Sequence, residues 1–380
     1  MTELFRIFGW ITCAGGLAGA AYAVACMLAA TQFAKKSMPA NAPLLPVTVL
    51  KPLHGAEAQL AENLESFCRQ DYGGPVQLLL GVQQGDDGAH AIAAKVRGNH
   101  PELDIAITVG AARHGTNPKI SNLLNTVPAA KHDLLALSDS DIGVPTNYLA
   151  TVTAALQSPG VGAVTCCYTG RPAVCGLWAR LSAMGINQHF LPDVLFALTH
   201  GLASPCFGST IALDRRVLSE IGGFRAFADR LADDYEIGRA VRARGYRIEV
   251  PPLMVSHSCA EASPSALICH ELRWARTIRL INPAGFAGSL LTHALPLALM
   301  GCLLLNFAMI PAGILAAALA ARVWLAVHIN TRFGTRDPIW LVPVRDLLSF
   351  VIFIGALFAS RVEWRGARFR VSSTGAMAQD

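Results

Sequence analysis

The sequence predicts an α/β domain with a Rossmann-like, mainly parallel sheet, joined to transmembrane helices on its N- and C-terminal sides. Strand-like and helix-like patterns alternate in residues 35–279, which is typical of such sheets. Apolar runs without charged residues flank this block, and acidic residues follow several of its predicted strands. With 53% hydrophobic and 15% charged residues, the chain is apolar for a soluble protein, and the excess lies in the flanking runs.

The N-terminal apolar run predicts a transmembrane anchor at 5–34. No charged residue lies between Arg6 and Lys35, and a spanning helix needs about 20 apolar residues. The alternative is a cleaved signal peptide, because "AYA" at 21–23 resembles a cleavage site. The apolar run continues well past that point and ends in two lysines, which favours an anchor whose C-terminal end is cytoplasmic. The block 35–279 is then cytosolic.

The C-terminal apolar region predicts a helical hairpin at 286–330. Between Arg279 and Arg322 there are 42 consecutive residues without charge, enough for two helices that turn near Asn306–Pro311. Residues 338–360 also reach spanning length. We interpret them as a re-entrant or interfacial helix, with a true span as the alternative, because they carry three residues that disfavour a span: Pro343, Arg345 and Asp346.

Cysteine usage and charge exclude some classes of protein. The ten cysteines include no CxxC pair, which is typical of a reducing compartment and disfavours a zinc site.

The net charge is +5, and the tail 361–380 begins with arginines interleaved with apolar residues in "SRVEWRGARFRV" (360–371). Such a tail next to an apolar segment indicates an anionic membrane surface as partner. Nucleic acid is excluded, because the block has no recognisable nucleic-acid-binding module.

Within the block, four apolar segments read as strands and two amphipathic segments between them read as helices. Alternation of this kind indicates a mainly parallel sheet with both faces covered, and 245 residues suffice for one domain. Ligands bind at the carboxyl ends of the strands in such sheets. The predicted strands are 46–53, 76–83, 103–110 and 133–139, and the predicted helices are 60–72 and 86–101.

Polar residues stand at these carboxyl ends. Lys51 and Pro52 end the first strand, Asp86 and Asp87 follow the second, and "LLALSDSDIGVP" (134–145) puts two acids after the fourth. An Asp-x-Asp triplet there can place two carboxylates around one hard divalent cation, Mg²⁺ or Mn²⁺. The alternative is an ordinary turn, because Asp and Ser are common turn residues. The two acids are Asp139 and Asp141.

Two further segments carry charge at predicted helix starts. Lys119 in "GTNPKISNL" (115–123) precedes a helix, where an ammonium and free backbone amides can meet phosphate. Asp233, Asp234 and Glu236 lie together at the start of an amphipathic helix. Acids at that position also stabilise the helix dipole without any further role.

Two apolar or aromatic segments remain. "HELRWART" (270–277) puts His270, Arg273 and Trp274 near one another on a helix, either as part of a site or as a basic and aromatic membrane anchor. Residues 174–201 predict a partly amphipathic helix that admits a lipid tail at the membrane interface, with an ordinary core helix as the alternative.

Six motifs in order, with apolar segments on both sides, resemble the family 21 glycosyltransferases. These are membrane-anchored relatives of ceramide glucosyltransferase with the GT-A fold, and the resemblance covers about residues 46–285. It implies a UDP-sugar donor and a GT-A domain at 35–279. The motifs are "KPLHG", "VQQGDD", "NPKISNL", "SDSD", "DDYEIG" and "HELRW".

The resemblance implies roles for the acids. The first family aspartate falls on Asp86 or Asp87, because Gln84 stands where relatives carry an acid, and it helps to hold the uridine or ribose. The second falls on Asp139, which with Asp141 holds the metal and the donor diphosphate. Lys51, Pro52 and Lys119 lie in the segments expected to line the nucleotide.

The third family aspartate falls on Asp234, the expected catalytic base. The last motif fits at Arg273 and Trp274, whereas His270 stands where Gln or Arg is usual. A carboxylate base that lets a hydroxyl attack the sugar directly gives inversion at the anomeric carbon.

Together these inferences predict metal-dependent transfer of one sugar to a membrane lipid. The stretches "ENLESFCRQDYGGPVQ" and "HELRWARTIR" are most similar to the bacterial branch associated with hopanoid biosynthesis. That branch implies UDP-N-acetylglucosamine and a hopanoid polyol such as bacteriohopanetetrol, in the cell inner membrane with the catalytic domain facing the cytoplasm. Ceramide glucosylation with UDP-glucose is the alternative. A processive polysaccharide synthase and a transporter are disfavoured, because the spans are few and nearly without charge.

Overall fold

The computed structural model describes residues 3–37, 42–358, 362–364, 367–371 and 377–379, with side chains described up to Phe358. The chain divides into two compact units. The helical unit comprises Met1–Lys35, Gly170–Ala203 and Glu261–Arg368, and the sheet unit comprises Lys36–Thr169, Ser204–Ala260 and Phe369–Asp380. Residues 170–203 and 261–279, which the sequence assigns to the block 35–279, therefore belong with the helices.

The strands are numbered in chain order. They are β1 (Val47–Pro52), β2 (Val76–Val82), β3 (Asp104–Val109), β4 (Leu134–Leu137), β5 (Ile142–Gly143), β6 (Val161–Val164), β7 (Cys167–Pro172), β8 (Ile211–Asp214), β9 (Arg247–Glu249), β10 (Met254–Cys259), β11 (Val362–Trp364), β12 (Ala367–Val371) and β13 (Met377–Gln379). The predicted contact of the basic tail 361–380 with a membrane falls on side chains outside the described part.

The helices are numbered in the same way. They are α1 (Glu3–Ala34), α2 (Leu60–Cys68), α3 (Gly88–Asn99), α4 (Pro118–Thr126), α5 (Tyr148–Leu156), α6 (Leu177–Gly185), α7 (Leu191–Thr199), α8 (Arg215–Glu220), α9 (Asp233–Ala243), α10 (Pro264–Ile281), α11 (Pro283–Gly288), α12 (Ala294–Leu304), α13 (Met309–Phe333) and α14 (Val342–Phe358). Short 3₁₀ turns and one π-helical turn (Ile186–Phe190) join some of them.

The sheet unit is built on a seven-stranded sheet with the order β3-β2-β1-β4-β8-β6-β9. The four predicted strands form its parallel half, since β3 with β2, β2 with β1, and β1 with β4 all pair in parallel. The sheet as a whole is mixed, because β8 runs antiparallel to both β4 and β6. Apolar side chains are buried on both faces of the parallel half, which explains why these strands read as nearly continuous apolar runs.

The register of the parallel strands brings the predicted site residues together. Leu50 of β1 pairs with Leu79 of β2 and with Leu137 of β4, so these three strands end at the same edge. The segment after β4 then turns and forms β5, which pairs with β10. The chain after the Asp-x-Asp triplet is therefore held by a second, small sheet.

The helical unit contains the apolar helices. Within the described residues, three helices are long and apolar enough to cross a membrane: Glu3–Ala34, Met309–Phe333 and Ile339–Phe358. A fourth candidate is the pair Pro283–Thr292 and Ala294–Leu304, which is bent by 62°. The turn of the predicted hairpin lies where expected, because Asn306 and Phe307 between α12 and α13 have positive φ angles. The first arm of the hairpin is broken, which the sequence did not predict.

The charged residues of α14 are paired inside the helical unit. Asp346 accepts two hydrogen bonds from Arg322 of α13, at 2.8 and 2.9 Å, and is 1% exposed. Arg345 is 3% exposed and binds both carboxylate oxygens of Glu271 of α10, at 2.8 and 2.6 Å. Paired charges of this kind occur inside helical membrane proteins. The charges therefore do not argue against a span, and the choice between spanning and re-entrant helix stays a prediction.

The segment 174–201 forms α6, the π-helical turn and α7 within the helical unit. Asn187 and Gln188 of the π-helical turn are buried, and both donate hydrogen bonds to the carboxylate of Asp337, at 3.2 and 2.7 Å. Buried polar side chains with such partners are typical of a packed core segment. The predicted admission of a lipid tail by this segment stays a prediction.

Candidate functional site

The Asp-x-Asp triplet lies on a short loop fixed at both ends. The amide of Ser138 donates to the carbonyl of Leu50 (3.1 Å), and the amide of Asp139 donates to the carbonyl of Gly208 (3.1 Å). On the other side, the amide of Ser258 donates to the carbonyl of Asp141 (2.9 Å). Backbone bonds to three distant segments thus fix the path of the loop that carries both carboxylates.

Asp139 faces a lysine. The Lys119 ammonium lies 2.7 Å from Asp139 Oδ1 and 3.1 Å from Asp233 Oδ2. Partial burial raises the pKa of the Asp139 carboxyl, although Lys119 opposes this effect. For Lys119, burial lowers the pKa, but the surrounding carboxylates, Asp139 first, outweigh it and raise the pKa above its ordinary value. Lys119 thus lies at the acidic residues, and its predicted contact with phosphate stays a prediction.

Asp141 faces a histidine. Its Oδ2 lies 3.2 Å from Nε2 of His257 on β10, and its Oδ1 is buried without a hydrogen-bond partner among the described atoms. Partial burial raises the pKa of Asp141, but His257 and the nearby lysines outweigh it and lower the pKa to about 2. Burial lowers the pKa of His257, whereas Asp141 raises it well above its ordinary value. Asp141 is therefore held as a carboxylate with one buried oxygen that lacks a donor.

The two acids at the start of α9 have different surroundings. Asp233 is buried and contacts Lys119 and the side-chain amide of Asn117 (3.3 Å). Asp234 is less buried, and its Oδ2 accepts a hydrogen bond from the amide of Gly208 (3.0 Å). Partial burial and the neighbouring Asp233 raise the pKa of Asp234 to about 6. A carboxyl group with such a pKa suits general-base work near neutral pH.

Gly208 connects the two acidic elements. Its amide donates to Asp234 and its carbonyl accepts from the amide of Asp139. A Cβ at this position would lie 2.3 Å from Asp139 Oδ2 and 3.1 Å from Lys119 Nζ, so no larger residue fits without moving the carboxylate. Gly208 and His257 are not predicted from the sequence. Gly208, three residues before β8, gives no chemical signal, and the only signal for His257 is one polar side chain within β10.

Lys51 lies beneath the Asp-x-Asp loop with no exposed surface. Its ammonium donates to the carbonyls of Asp139 and Ile142 (the latter at 3.2 Å), and Ser138 Oγ lies at 3.4 Å. Burial lowers the pKa of Lys51 to about 7, although nearby acids, Asp141 first, oppose it. The sequence predicts that Lys51 and Pro52 line the nucleotide. In the structure the Lys51 ammonium faces the loop backbone, and Pro52 is the last residue of β1.

The two acids after β2 also differ. Asp87 caps α3 through the amide of Ala89 (2.8 Å), and the same Oδ1 accepts from the amide of Gly55 (2.7 Å). Its other oxygen lies 3.3 Å from His54 Nδ1. Asp86 is exposed. Asp87 thus joins the loops after β1 and β2, and the choice between the two as the first family aspartate stays a prediction.

The HxxRW motif lies on α10 in the helical unit. His270 Nδ1 is hydrogen-bonded to Glu261, and the rings of His270 and Trp274 meet edge to face at 4.6 Å. Burial raises the pKa of Glu261, but His270 outweighs it and lowers the pKa to about 2. Arg273 lies one turn further along, where its carbonyl accepts from Thr277. The structure thus groups Lys119, Asp139, Asp141 and Asp234 in the sheet unit and His270, Arg273 and Trp274 in the helical unit.

The acidic centre fits a divalent cation. Among the described residues, no three His, Cys, Asp or Glu side chains form a ready-made metal cluster. Asp139 and Asp141 supply carboxylate oxygens, which are the ligands that Mg²⁺ and Mn²⁺ prefer, and a substrate diphosphate supplies others. The buried Oδ1 of Asp141 has no hydrogen-bond donor among the described atoms, which leaves this oxygen free to bind a cation.

Comparison with known proteins identifies the family of this chain. The chain matches the model of glycosyl transferase family 21 over residues 10–377. It is 24% identical to ceramide glucosyltransferase 3 of Caenorhabditis elegans over 86% of this chain and 72% of that protein. It is also 24% identical to ceramide glucosyltransferase 1 of the same organism, over 87% of this chain and 72% of that one.

A solved structure shares the fold. The mannosyltransferase PcManGT of Pyrobaculum calidifontis, in complex with GDP-mannose and Mn²⁺, has a TM-score of 0.54 and 22% sequence identity, and the likeness covers 92% of this chain and 99% of that one. This likeness confirms the GT-A-type fold with a mixed sheet. Since the family model covers nearly the whole chain, the protein belongs to glycosyl transferase family 21 and is a glycosyltransferase.

Proposed function

We propose that this protein transfers one sugar from a UDP-sugar to the hydroxyl group of a membrane lipid, with inversion at the anomeric carbon. The observation that carries the proposal is the acidic centre of the sheet unit. There, Gly208 bonds through its backbone to both Asp139 and Asp234, and Lys119 lies between Asp139 and Asp233. Such a centre combines carboxylates for a cation, an ammonium for phosphate and a carboxylate with a raised pKa.

Asp139 and Asp141 are the residues that would hold Mg²⁺ or Mn²⁺. The bound ion would act as a Lewis acid that stabilises the negative charge of the departing diphosphate. The oxygen donor set and the unpartnered Asp141 Oδ1 support this role. The His257 imidazole fixes the other oxygen of Asp141, so only one oxygen of this carboxylate is left for a further partner.

Lys119 supplies the positive potential for the diphosphate. Its side chain is 14% exposed, and its ammonium lies among three carboxylates, each of which raises the pKa of Lys119. It therefore stays charged throughout the physiological range. A fixed cation aimed at developing negative charge is among the larger contributions to catalysis. Asp86 or Asp87 would hold the uridine or ribose of the donor.

Asp234 is the proposed general base. An alcohol is a poor nucleophile at neutral pH, so a carboxylate must take its proton as the new bond forms, which is worth about 10²–10⁴-fold in rate. The pKa of about 6 and the fixed orientation of Asp234 through Gly208 support this role. The contacts of Asp233 with Lys119 and Asn117 distinguish it as the structural neighbour. Attack without a covalent intermediate gives inversion.

His270, Arg273 and Trp274 are proposed to complete the catalytic machinery. Glu261 fixes the tautomer and the direction of His270, and Trp274 packs against its ring. We assign Trp274 to packing against the sugar or the acceptor and Arg273 to the diphosphate charge. Because His270 replaces the usual Gln or Arg, this position carries an imidazole ring in place of a long polar side chain.

The proposed acceptor is a hopanoid polyol such as bacteriohopanetetrol, and the proposed donor is UDP-N-acetylglucosamine. The similarity of the stretches "ENLESFCRQDYGGPVQ" and "HELRWARTIR" to the hopanoid-associated branch supports this choice. The alternative, ceramide with UDP-glucose, is supported by the names of the C. elegans relatives. The apolar helices of the helical unit favour a lipid over a soluble acceptor. We place the enzyme in the cell inner membrane with the sheet unit facing the cytoplasm.

The test is a matrix of donors and acceptors. Purified membranes are incubated with labelled UDP-glucose or UDP-N-acetylglucosamine, each with ceramide or a hopanoid polyol, and products are identified by mass spectrometry. We expect one N-acetylglucosamine per hopanoid. Glucosylceramide would support the alternative, and a ladder of products would indicate a processive synthase. Asp234→Asn should reduce turnover by at least 10² while donor binding persists; near-normal turnover would overturn the base assignment.

A further inference from the structure

We propose that Lys51 is a positioning residue, whose buried ammonium holds the Asp139–Asp141 loop in the shape that binds the cation. It acts from inside the protein, through backbone carbonyls, and does not touch the donor. This inference rests on the proposed function, since it assumes that the two acids hold a divalent cation. It replaces the sequence-based expectation that Lys51 lines the nucleotide.

The contacts of Lys51 frame the Asp-x-Asp triplet. The ammonium donates to the carbonyl of Asp139, at the start of the triplet, and to that of Ile142, the residue after it, at 3.2 Å. Ser138 Oγ, just before the triplet, lies at 3.4 Å. Three acceptors match the three N–H groups of an ammonium. One side chain thus fixes the distance across the turn that carries both carboxylates.

The rest of the surroundings keeps the ammonium in place. The ring of Phe67 on α2 lies under the ammonium, 4.3 Å from its nitrogen, in cation–π geometry. Lys51 is in the middle of the sheet, paired through β1 with β2 and next to β4, and it is 0% exposed. A buried ammonium is costly unless it is well bonded. Here the bonds that offset this cost are the same bonds that hold the loop.

Removing Lys51 has two effects of opposite sign on the affinity for the cation, so a measurement of that affinity tests the proposal. An ammonium near a cation site repels the cation, so charge alone predicts that Lys51→Met binds Mn²⁺ more tightly. If Lys51 positions the loop, the same variant leaves two carbonyls without their donor and spreads the carboxylates, so binding weakens. Outer-shell changes of this kind typically cost about 10–100-fold in metal affinity.

The experiment measures Mn²⁺ affinity directly, by electron paramagnetic resonance titration of the purified full-length protein without donor. We expect the dissociation constant of Lys51→Met to rise about 10–100-fold. Saturating Mn²⁺ should then restore much of the turnover, which a general folding defect would not allow. The control is Lys131→Met, which removes an exposed lysine of the same unit, paired with Asp104 at 2.6 Å. It should bind Mn²⁺ like the wild type.

A second variant covers the case in which Lys51→Met does not fold. Ser138→Ala removes one acceptor and changes no charge, and we expect the Mn²⁺ dissociation constant to rise about twofold. Wild-type or tighter Mn²⁺ binding by Lys51→Met, or by Ser138→Ala where the former is not folded, would overturn the role of Lys51. If the wild-type protein binds no Mn²⁺ either alone or with UDP, whose diphosphate supplies further ligands, the metal site of the proposed function fails, and the role of Lys51 fails with it.

Discussion

The ion pair between Arg345 of α14 and Glu271 of α10 offers a quantitative test of how the helical unit is held together. Arg345 is 3% exposed and its guanidinium reaches four acceptors. Two are the oxygens of Glu271 (2.8 and 2.6 Å), and the others are the carbonyl of Leu181 (2.9 Å) and Ser349 Oγ (3.1 Å). The perturbation is a double-mutant cycle of Arg345→Gln, Glu271→Gln and both together.

The magnitude follows from burial and geometry. Removing one partner of a buried ion pair leaves an uncompensated charge, which costs about 3–5 kcal/mol of unfolding free energy. The double variant leaves no such charge and should cost less than the two single variants added together. We therefore expect a coupling energy of about 2–3 kcal/mol, at the upper end for residues in contact. Gly185 leaves the space for this pair, because a Cβ there would lie 2.9 Å from Arg345 Nη2.

The assay is equilibrium unfolding in mixed micelles, followed by tryptophan fluorescence, with Arg332→Gln as the control. Arg332 is an exposed arginine at the end of α13, and its replacement should change the unfolding free energy by no more than about 0.5 kcal/mol. Single variants that cost as little as this control, or strictly additive effects, would refute the view that the pair joins α14 to the helix of the HxxRW motif.

Three further predictions concern the site and its surroundings. Asp141→Ala should abolish the dependence of donor binding on Mg²⁺ or Mn²⁺ in calorimetry; an unchanged dependence would make the two acids ordinary turn residues. Gly208→Ala should abolish transfer while the protein stays folded, because its Cβ would lie 2.3 Å from a carboxylate oxygen. The matched variant Gly98→Ala, where nothing lies within 4 Å, should stay active. The pKa of Glu261 is lowered to about 2 in the folded state, so its stabilisation is present above about pH 4.5 and is lost as the pH falls towards 2. Thermal unfolding should show this loss in the wild type, and a slope unchanged by Glu261→Gln would contradict it.

The parallel half of the sheet could be predicted because its signal is local. Strands β1, β2 and β4 are buried along nearly their whole length, and β3 is an edge strand that is only partly buried, so apolar runs identify all four without knowledge of their partners. The antiparallel β8 and the short β5 could not be found in the same way. Strand β5 has two residues, and its existence depends on pairing with β10, more than 100 residues later.

The same distinction applies to the site. Asp139 and Asp141 attract attention because acids directly after a buried strand are unusual, whereas Asp234 is singled out by its place in the family motif "DDYEIG" at a predicted helix start. Gly208 and His257 were missed, because their importance comes from contacts with the acids across long stretches of chain. Gly208 acts through its backbone atoms and through the space that the missing side chain leaves. A search for motifs of charged residues does not find such a position.

The roles of charged residues are the feature of this chain that their sequence neighbours predict least well. Lys51 at the end of a strand favours a ligand contact, and Arg345 in an apolar helix disfavours a membrane span, if each is taken with its sequence neighbours alone. In the structure both are buried. Lys51 bonds to carbonyls about 90 residues away, and Arg345 bonds to a carboxylate on another helix. A buried charge is stable only where distant segments supply its partners. The burial of each of these residues therefore depends on the tertiary contacts of its unit. Substitutions at either position therefore test how the surrounding fold holds a functional element, through residues that make no direct contact in the proposed substrate site.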